Sequence, residues 1–372
     1  MPQRPRGFRQ WAPPLAVFVL STAFNAMVAY NAGMDPRDPG TWARQDSGSY
    51  IDIATTGYEY FYCAELKDSH YPPSAWCGSA GWMPGYPALI RALWMLGVPP
   101  PWAALAIAAG FCLALLSAVW FWFLEAEWTP SSLACLFLAG FFPGQIYYHA
   151  VFPISVFLFL AAMSLHLAER GRWWQAGLAG AAAAFTYTTG FLLAAVLLLG
   201  ALLTWRERSR QQNFRLGLAA GMVCIGPLAL FALHQYLLGV WNALFKVQEK
   251  YGHGWHDPLD TLFFGIVSWA ELHPPALQRV LVLAILTAAL FAARSAGRLG
   301  HLQVSVLVYL VLYWAFPLAI GPGVSLYRAE SLLLPAVVLL RRLPWPALVL
   351  LTVAAAAVAY PMTRLFFTWQ LL

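Results

Sequence analysis

The side chain best suited to chemistry in this 372-residue sequence is Asp46, set in QDSGSYIDIATTGY among small and aromatic residues with only Arg44 as a nearby cation. A carboxylate at a membrane surface can take the proton of an attacking hydroxyl, as an inverting sugar transfer requires. The plainer reading is a cap for a helix beginning near Ser47, since Asp before small polar residues is a common helix start. Arg328, in SLYRAESLLLP, can hold a phosphate through two parallel hydrogen bonds and stabilise it as a leaving group. Glu330 could bind that guanidinium instead, and a buried Arg–Glu pair or an Arg reaching up to the headgroups are the structural alternatives. Lys246 and Lys250, in WNALFKVQEKYGHGW, are candidates for an anionic headgroup or a donor phosphate.

Other groups carry weaker signals. His253, His256 and Asp257 could bind a divalent metal or a phosphate, although such residues in a Gly-containing loop more often make a solvated turn. The chemistry above needs no metal, so the expected cofactor is none. His149 follows a proline turn and could position an acceptor, whereas a lone His is more often a structural group. Cys63 and Cys77 can form a disulfide if their loop is outside the cell, and Cys112, Cys135 and Cys224 read as packing residues in apolar helices.

The elements that must position these groups are membrane helices. Hydrophobic residues make up 60% of the chain and charged residues 10%, against roughly a quarter charged in soluble domains. That excludes a string of soluble domains and makes this an all-α polytopic membrane protein, a single integral domain over 1–372. The basic N-terminus precedes an apolar run without a small-residue cleavage site, so it reads as a first crossing rather than a signal peptide. Thirteen of the 22 Lys and Arg fall at 4–9, 170–172, 206–215, 294–298 and 341–342, between apolar blocks. By the positive-inside rule these positions and the N-terminus are cytoplasmic, so the net charge of +6 reports topology and not a nucleic-acid partner.

Apolar segments at 11–33, 102–124, 129–148, 151–168, 172–187, 189–205, 215–238, 276–294, 301–320, 326–341 and 345–363 then give about eleven crossings. Segment 86–98, with Arg91 inside it, reads as an interfacial helix within an outer loop covering 34–100. Polar islands at 34–87, 141–149, 239–262 and 321–330, with the TYTTG turn at 186–190, fall on one side. Their convergence suggests a shared cavity, because polar groups spread over lipid-facing surfaces would be costly.

The order Asp46, Tyr50, Ile53-Ala54, Gly57-Tyr58 and then Met83-Pro84-Gly85-Tyr86-Pro87 resembles a pattern of the second mannosyltransferase of GPI-anchor synthesis and its bacterial relatives, in the GT-C superfamily of membrane glycosyltransferases. The resemblance implies that Asp46 is the base of the first outer loop, although the Trp usual before it is Gln45 here. FFPGQIYYHAVFPISVF resembles the family's proline turn and keeps Phe152, Ser155 and Phe157, with Ile154 where Glu is usual. TYTTG resembles Thr-Arg-Pro-Thr-Gly and keeps Thr186, Thr189 and Gly190, with Tyr187 in place of Arg. Phe245 and Gln248 match a Phe-x-x-Gln region, and Arg328 matches a late Arg that follows an outer turn.

By this resemblance the chain transfers a sugar, mannose in the family, from a polyprenyl phosphate to a lipid or glycan acceptor on the extracytoplasmic face, with inversion. Arg328, Lys246 and Lys250 would hold the donor phosphate, and Tyr50, Tyr58, Tyr86, His149, Gln248 and Glu330 would contact substrate. The alternatives are a transporter or flippase of lipid-linked sugars and a catalytically silent partner of another transferase. Transporters place ionisable groups at mid-membrane, whereas this chain gathers them in its loops.

Overall fold

The computed structural model describes residues 7–67, 70–267, 273–321 and 325–371. Arg4 and Arg6 of the N-terminal basic cluster, and part of the 321–330 turn, lie outside them. The first apolar run forms α1 (Ala12–Asn31), with Pro in its first turn, where a missing amide donor costs nothing. A polar turn leads to α2 (Ser47–Thr55) and then to a short antiparallel ribbon of β1 (Phe61–Tyr62) and β2 (Trp76–Cys77). The next helix, α3 (Gly85–Met95), buries Tyr86, Pro87 and Ile90 and exposes Arg91, Met95 and Leu96. At 11 residues it is about 17 Å long, too short to cross a ~30 Å core.

The bundle continues with α4 (Pro100–Ala118), extended by a π turn over Val119–Phe123, then α5 (Pro130–Gly140), α6 (Ile146–His149), α7 (Ile154–Glu169), α8 (Trp173–Thr186) and α9 (Leu192–Leu203). The second half comprises α10 (Arg210–Val223), α11 (Ile225–Leu238), α12 (Ala243–Glu249), α13 (Pro258–Val267), α14 (Pro274–Ser295), α15 (His301–Ile320), α16 (Leu326–Glu330), α17 (Val337–Leu340) and α18 (Trp345–Phe367). Among the described residues, six helical spans are long and apolar enough to cross a membrane: Arg9–Asn31, Pro100–Phe123, Arg210–Leu238 (α10 and α11 together), Pro274–Ser295, His301–Ile320 and Trp345–Phe367. The chain is an integral multi-pass membrane protein with an all-α architecture.

Each of the eleven apolar segments is helical over part of its length, but three are not the single helices expected, and 215–238 divides at Cys224 between α10 and α11. Segment 129–148 breaks after Gly140, where Phe142-Pro143-Gly144 turns the chain before α6. Segment 326–341 runs from α16 through a 3-10 stretch, Ser331–Ala336, into α17. All ten residues from 331 to 340 are buried. Irregular backbone at membrane depth survives only where protein, not lipid, surrounds it, and this segment is the centre of the bundle. Around it α7 packs on α4 and α8, α8 on α10, α9 on α15, and α18 on α5 and α14.

A polar knot ties three elements inside the bundle. The Asn25 and Gln145 amides exchange hydrogen bonds of 2.9 and 2.7 Å, and Gln145 also reaches Thr363 Oγ1 at 3.4 Å. It joins α1, the turn before α6 and α18.

Candidate active site

Asp46 stands at the start of α2, yet its carboxylate makes no capping bond. It forms an ion pair with Arg328 of α16, 282 residues away in sequence. The two side chains remain 26% and 22% exposed, so the pair can be reached from outside the fold. Arg328 also lies over the Phe152 ring, 5.5 Å from its centroid. Phe152 in turn touches Tyr147 at 4.9 Å and Tyr50 at 6.2 Å, and Tyr147 faces Tyr327 at 6.3 Å. Tyr187, Tyr251 and Lys250 are within electrostatic reach of Asp46. Residues from all five sequence islands are therefore packed around this ion pair or within electrostatic reach of it.

The local chain is held from several directions. Gln45 adopts φ 55°, a left-handed conformation that a side chain rarely takes without support. Its amide donates to the Leu371 carbonyl, while Arg44 donates to the Gly40 carbonyl at 2.7 Å and lies over Trp369 at 5.0 Å. Ser47 Oγ donates to the Val151 carbonyl at 2.9 Å, fixing the Asp46 turn to the segment that carries Phe152. Two glycines allow the islands to touch. A Cβ at Gly85 would lie 2.5 Å from Thr186 Oγ1, and one at Gly144, where φ is +76°, would lie 2.7 Å from Ser331 Cβ.

Arg328 does not pair with Glu330. The Glu330 carboxylate accepts from Gln278 Nε2 at 2.7 Å and from Arg279 Nε at 3.3 Å, and Gln278 also donates to the Tyr327 carbonyl at 2.8 Å. Glu330 is thus a buried anchor from α16 to α14, pointed away from the substrate role expected of it. A cavity lined by Arg279, Tyr313, Trp314 and Glu330 includes neither Asp46 nor Arg328.

The two lysines differ. Lys250 sits between Tyr71 and Tyr251, 4.9 and 5.0 Å from their centroids, with its Nζ 3.7 Å from Cys77 Sγ. Burial lowers its ammonium pKa, and nearby Asp46 works against that shift. Lys246 lies 5.6 Å over Trp76 instead. Gln248 donates to the Gly81 carbonyl at 3.1 Å, so it docks the first loop on α12. A disulfide joins Cys63 to Cys77 across the β ribbon.

Several substrate candidates spend their polar atoms inside the protein. The Tyr86 hydroxyl donates to the Ala104 carbonyl at 2.8 Å, and its ring meets Tyr50 edge-on at 5.6 Å. Burial raises the pKa of both the Tyr50 and Tyr58 hydroxyls, so they stay protonated. The Tyr58 hydroxyl donates to the Trp82 carbonyl at 2.9 Å. His149 does not face the loops at all. Its ring is buried against Phe18 at 5.9 Å, Thr22 Oγ1 at 3.3 Å and Cys112 Sγ at 3.8 Å, the interior of α1 and α4. Trp76 is stacked by Tyr60 and Tyr62 at 4.1 and 4.0 Å, which takes up ring faces that a sugar would need.

Among the described residues no group of three or more His, Cys, Asp and Glu converges as a metal site. Asp257 Oδ1 accepts from the Leu259 amide at 2.8 Å, and the His256 ring packs on Gly321. Tyr147, Tyr251 and Tyr327 had not been singled out from sequence. Tyr327 adjoins Arg328, and Tyr147 lies in a polar island, so adjacency was the one available signal.

No family model and no curated protein matches the sequence. Among solved structures, the chain is similar to ArnT from Cupriavidus metallidurans bound to undecaprenyl phosphate, with TM-score 0.53 and 15% identity over 87% of this chain. The fold is of the GT-C type. This chain spans 59% of the length of that ArnT chain. Archaeal oligosaccharyltransferase AglB from Archaeoglobus fulgidus, in complex with an inhibitory peptide and a dolichol-phosphate, matches with TM-score 0.49 and 12% identity over 90% of this chain and 50% of its own. That second similarity is too low to carry an argument.

Proposed function

We propose that the protein is a glycosyltransferase that moves one sugar from a polyprenyl-phosphate donor to an acceptor hydroxyl on the extracytoplasmic face, with inversion. The carrying observation is a carboxylate and a guanidinium from two distant polar islands, paired and partly exposed. The acceptor oxygen attacks the anomeric carbon from the face opposite the phosphate and forms the new C–O bond. The bond between that carbon and the phosphate oxygen breaks, and its electron pair stays on the phosphate. Asp46 takes the hydroxyl proton, and Arg328 with Lys250 stabilises the charge gathering on the leaving group. Mannose follows from the sequence resemblance, and the undecaprenyl phosphate bound by ArnT supports a lipid-phosphate donor.

Purified protein is incubated with a radiolabelled polyprenyl-phosphate mannose and membrane lipid extract. We expect transfer by the wild type and loss of at least about a hundredfold in Asp46→Asn, as for removal of a general base. Equal transfer by both proteins would remove Asp46 from the mechanism. A wild type inactive with every polyprenyl-phosphate sugar would overturn the transferase reading in favour of a silent partner.

A further inference from the structure

The Asp46–Arg328 ion pair sets a conflict between the roles just proposed. Asp46 Oδ2 accepts from Arg328 Nη1, so while the pair holds that oxygen is turned to the cation and not to an acceptor hydroxyl, and that N–H is not offered to a phosphate. We propose that this pair is a lock opened by the lipid donor: the donor's phosphate takes Arg328 from Asp46, and only the released Asp46 can serve the acceptor. Substrate binding is then ordered, donor first. The inference rests on the reading of Asp46 as base and Arg328 as phosphate holder.

The surroundings favour the exchange. Two cations, Arg328 and Lys250, stand near one carboxylate, which leaves one positive charge without an anionic counterpart among them. A sugar phosphodiester carries one negative charge and matches that excess. The monoester left after transfer carries about −1.5 to −2, so the spent carrier binds more tightly than the donor. The exchange also fits the geometry. Phe152, itself packed on Tyr147, lies against Arg328, and Glu330 anchors its helix through Gln278 and Arg279, so the guanidinium stays in place while its partner changes. Asp46 is the member of the pair at the end of a short surface helix, with no capping bond to restrain its carboxylate.

The test is equilibrium binding of farnesyl phosphate to purified protein in nanodiscs, by calorimetry, with inorganic phosphate as a second arm. Removing the competing carboxylate in Asp46→Asn is expected to tighten farnesyl phosphate binding about twofold to fivefold, the scale of a partly exposed ion pair. Arg328→Gln is expected to weaken it at least about tenfold. Unchanged or weaker binding by Asp46→Asn would overturn the lock. Equal affinity for inorganic phosphate and farnesyl phosphate would overturn the lipid as its key. Asp46→Ser reads the same competition if Asp46→Asn is not monodisperse. No sugar is transferred in this measurement, so its failure is separate from failure of the transferase reading.

Discussion

At Asp46 the deciding fact is the partner of its carboxylate. A helix-capping Asp would bond to amides two or three residues ahead, and this one reaches across the chain to Arg328. The same scale separates the two lysines that sequence left equivalent. Lys250 is packed between two tyrosine rings beside the ion pair, and Lys246 rests on Trp76. Lys250→Met is therefore expected to weaken farnesyl phosphate binding about tenfold, while Lys246→Met changes it by less than about twofold. Equal effects of the two substitutions in the same calorimetric titration would remove Lys250 from the phosphate site. Tyr187, which stands where the resembled family has Arg, lies within reach of Arg328 and Asp46, so the exchange alters the lining of the site itself.

At the scale of elements, short helices and turns depend on polar contacts with their neighbours. Helix α6 carries Tyr147 against Phe152 and Tyr327, and the Asn25–Gln145 amide exchange holds the turn before it to α1. Gln145→Leu leaves the Asn25 amide buried without its partner and is expected to cost about 1–3 kcal/mol. The double variant Asn25→Leu/Gln145→Leu removes both orphaned groups and recovers part of that loss. Thermal unfolding in detergent should give midpoints in the order wild type, double, single. A double variant less stable than Gln145→Leu would show that packing volume, not the amide pair, matters there. The β ribbon with its disulfide belongs to this scale too: it brings Tyr71 and Cys77 against Lys250.

For the molecule as a whole, thirteen of the 22 Lys and Arg fall in clusters apart from the Asp46–Arg328 pair, and from that asymmetry we propose an extracytoplasmic site. An extracytoplasmic site predicts that, in intact cells treated with an impermeant reductant, an impermeant maleimide labels Cys63 and Cys77. A Ser209→Cys variant, placed between α9 and α10, should label only after lysis. Labelling of Ser209→Cys in intact cells, with Cys63 and Cys77 protected, would invert the topology and move the site to the cytoplasm.

The helical membrane architecture was legible because hydrophobic runs and charge asymmetry are local properties of the chain, and lipid rewards them segment by segment. Asp46, Arg328 and the cysteine pair were legible as candidates because their residue types and loop settings limit what they can do. The turn after Gly140 was legible from its proline and polar residues, whereas the irregular stretch through Pro335 was not, since burial by neighbouring helices decides whether irregular backbone is tolerated at membrane depth. His149 and Glu330 were misplaced for a related reason: a polar residue near a turn looks the same in sequence whether it faces a cavity or a packed interior. Sequence alone nominated the groups whose chemistry suits a proton and a phosphate. Only the tertiary structure joined Asp46 to Arg328, because an ion pair spanning 282 positions depends on how the helices pack and leaves no periodicity in the chain.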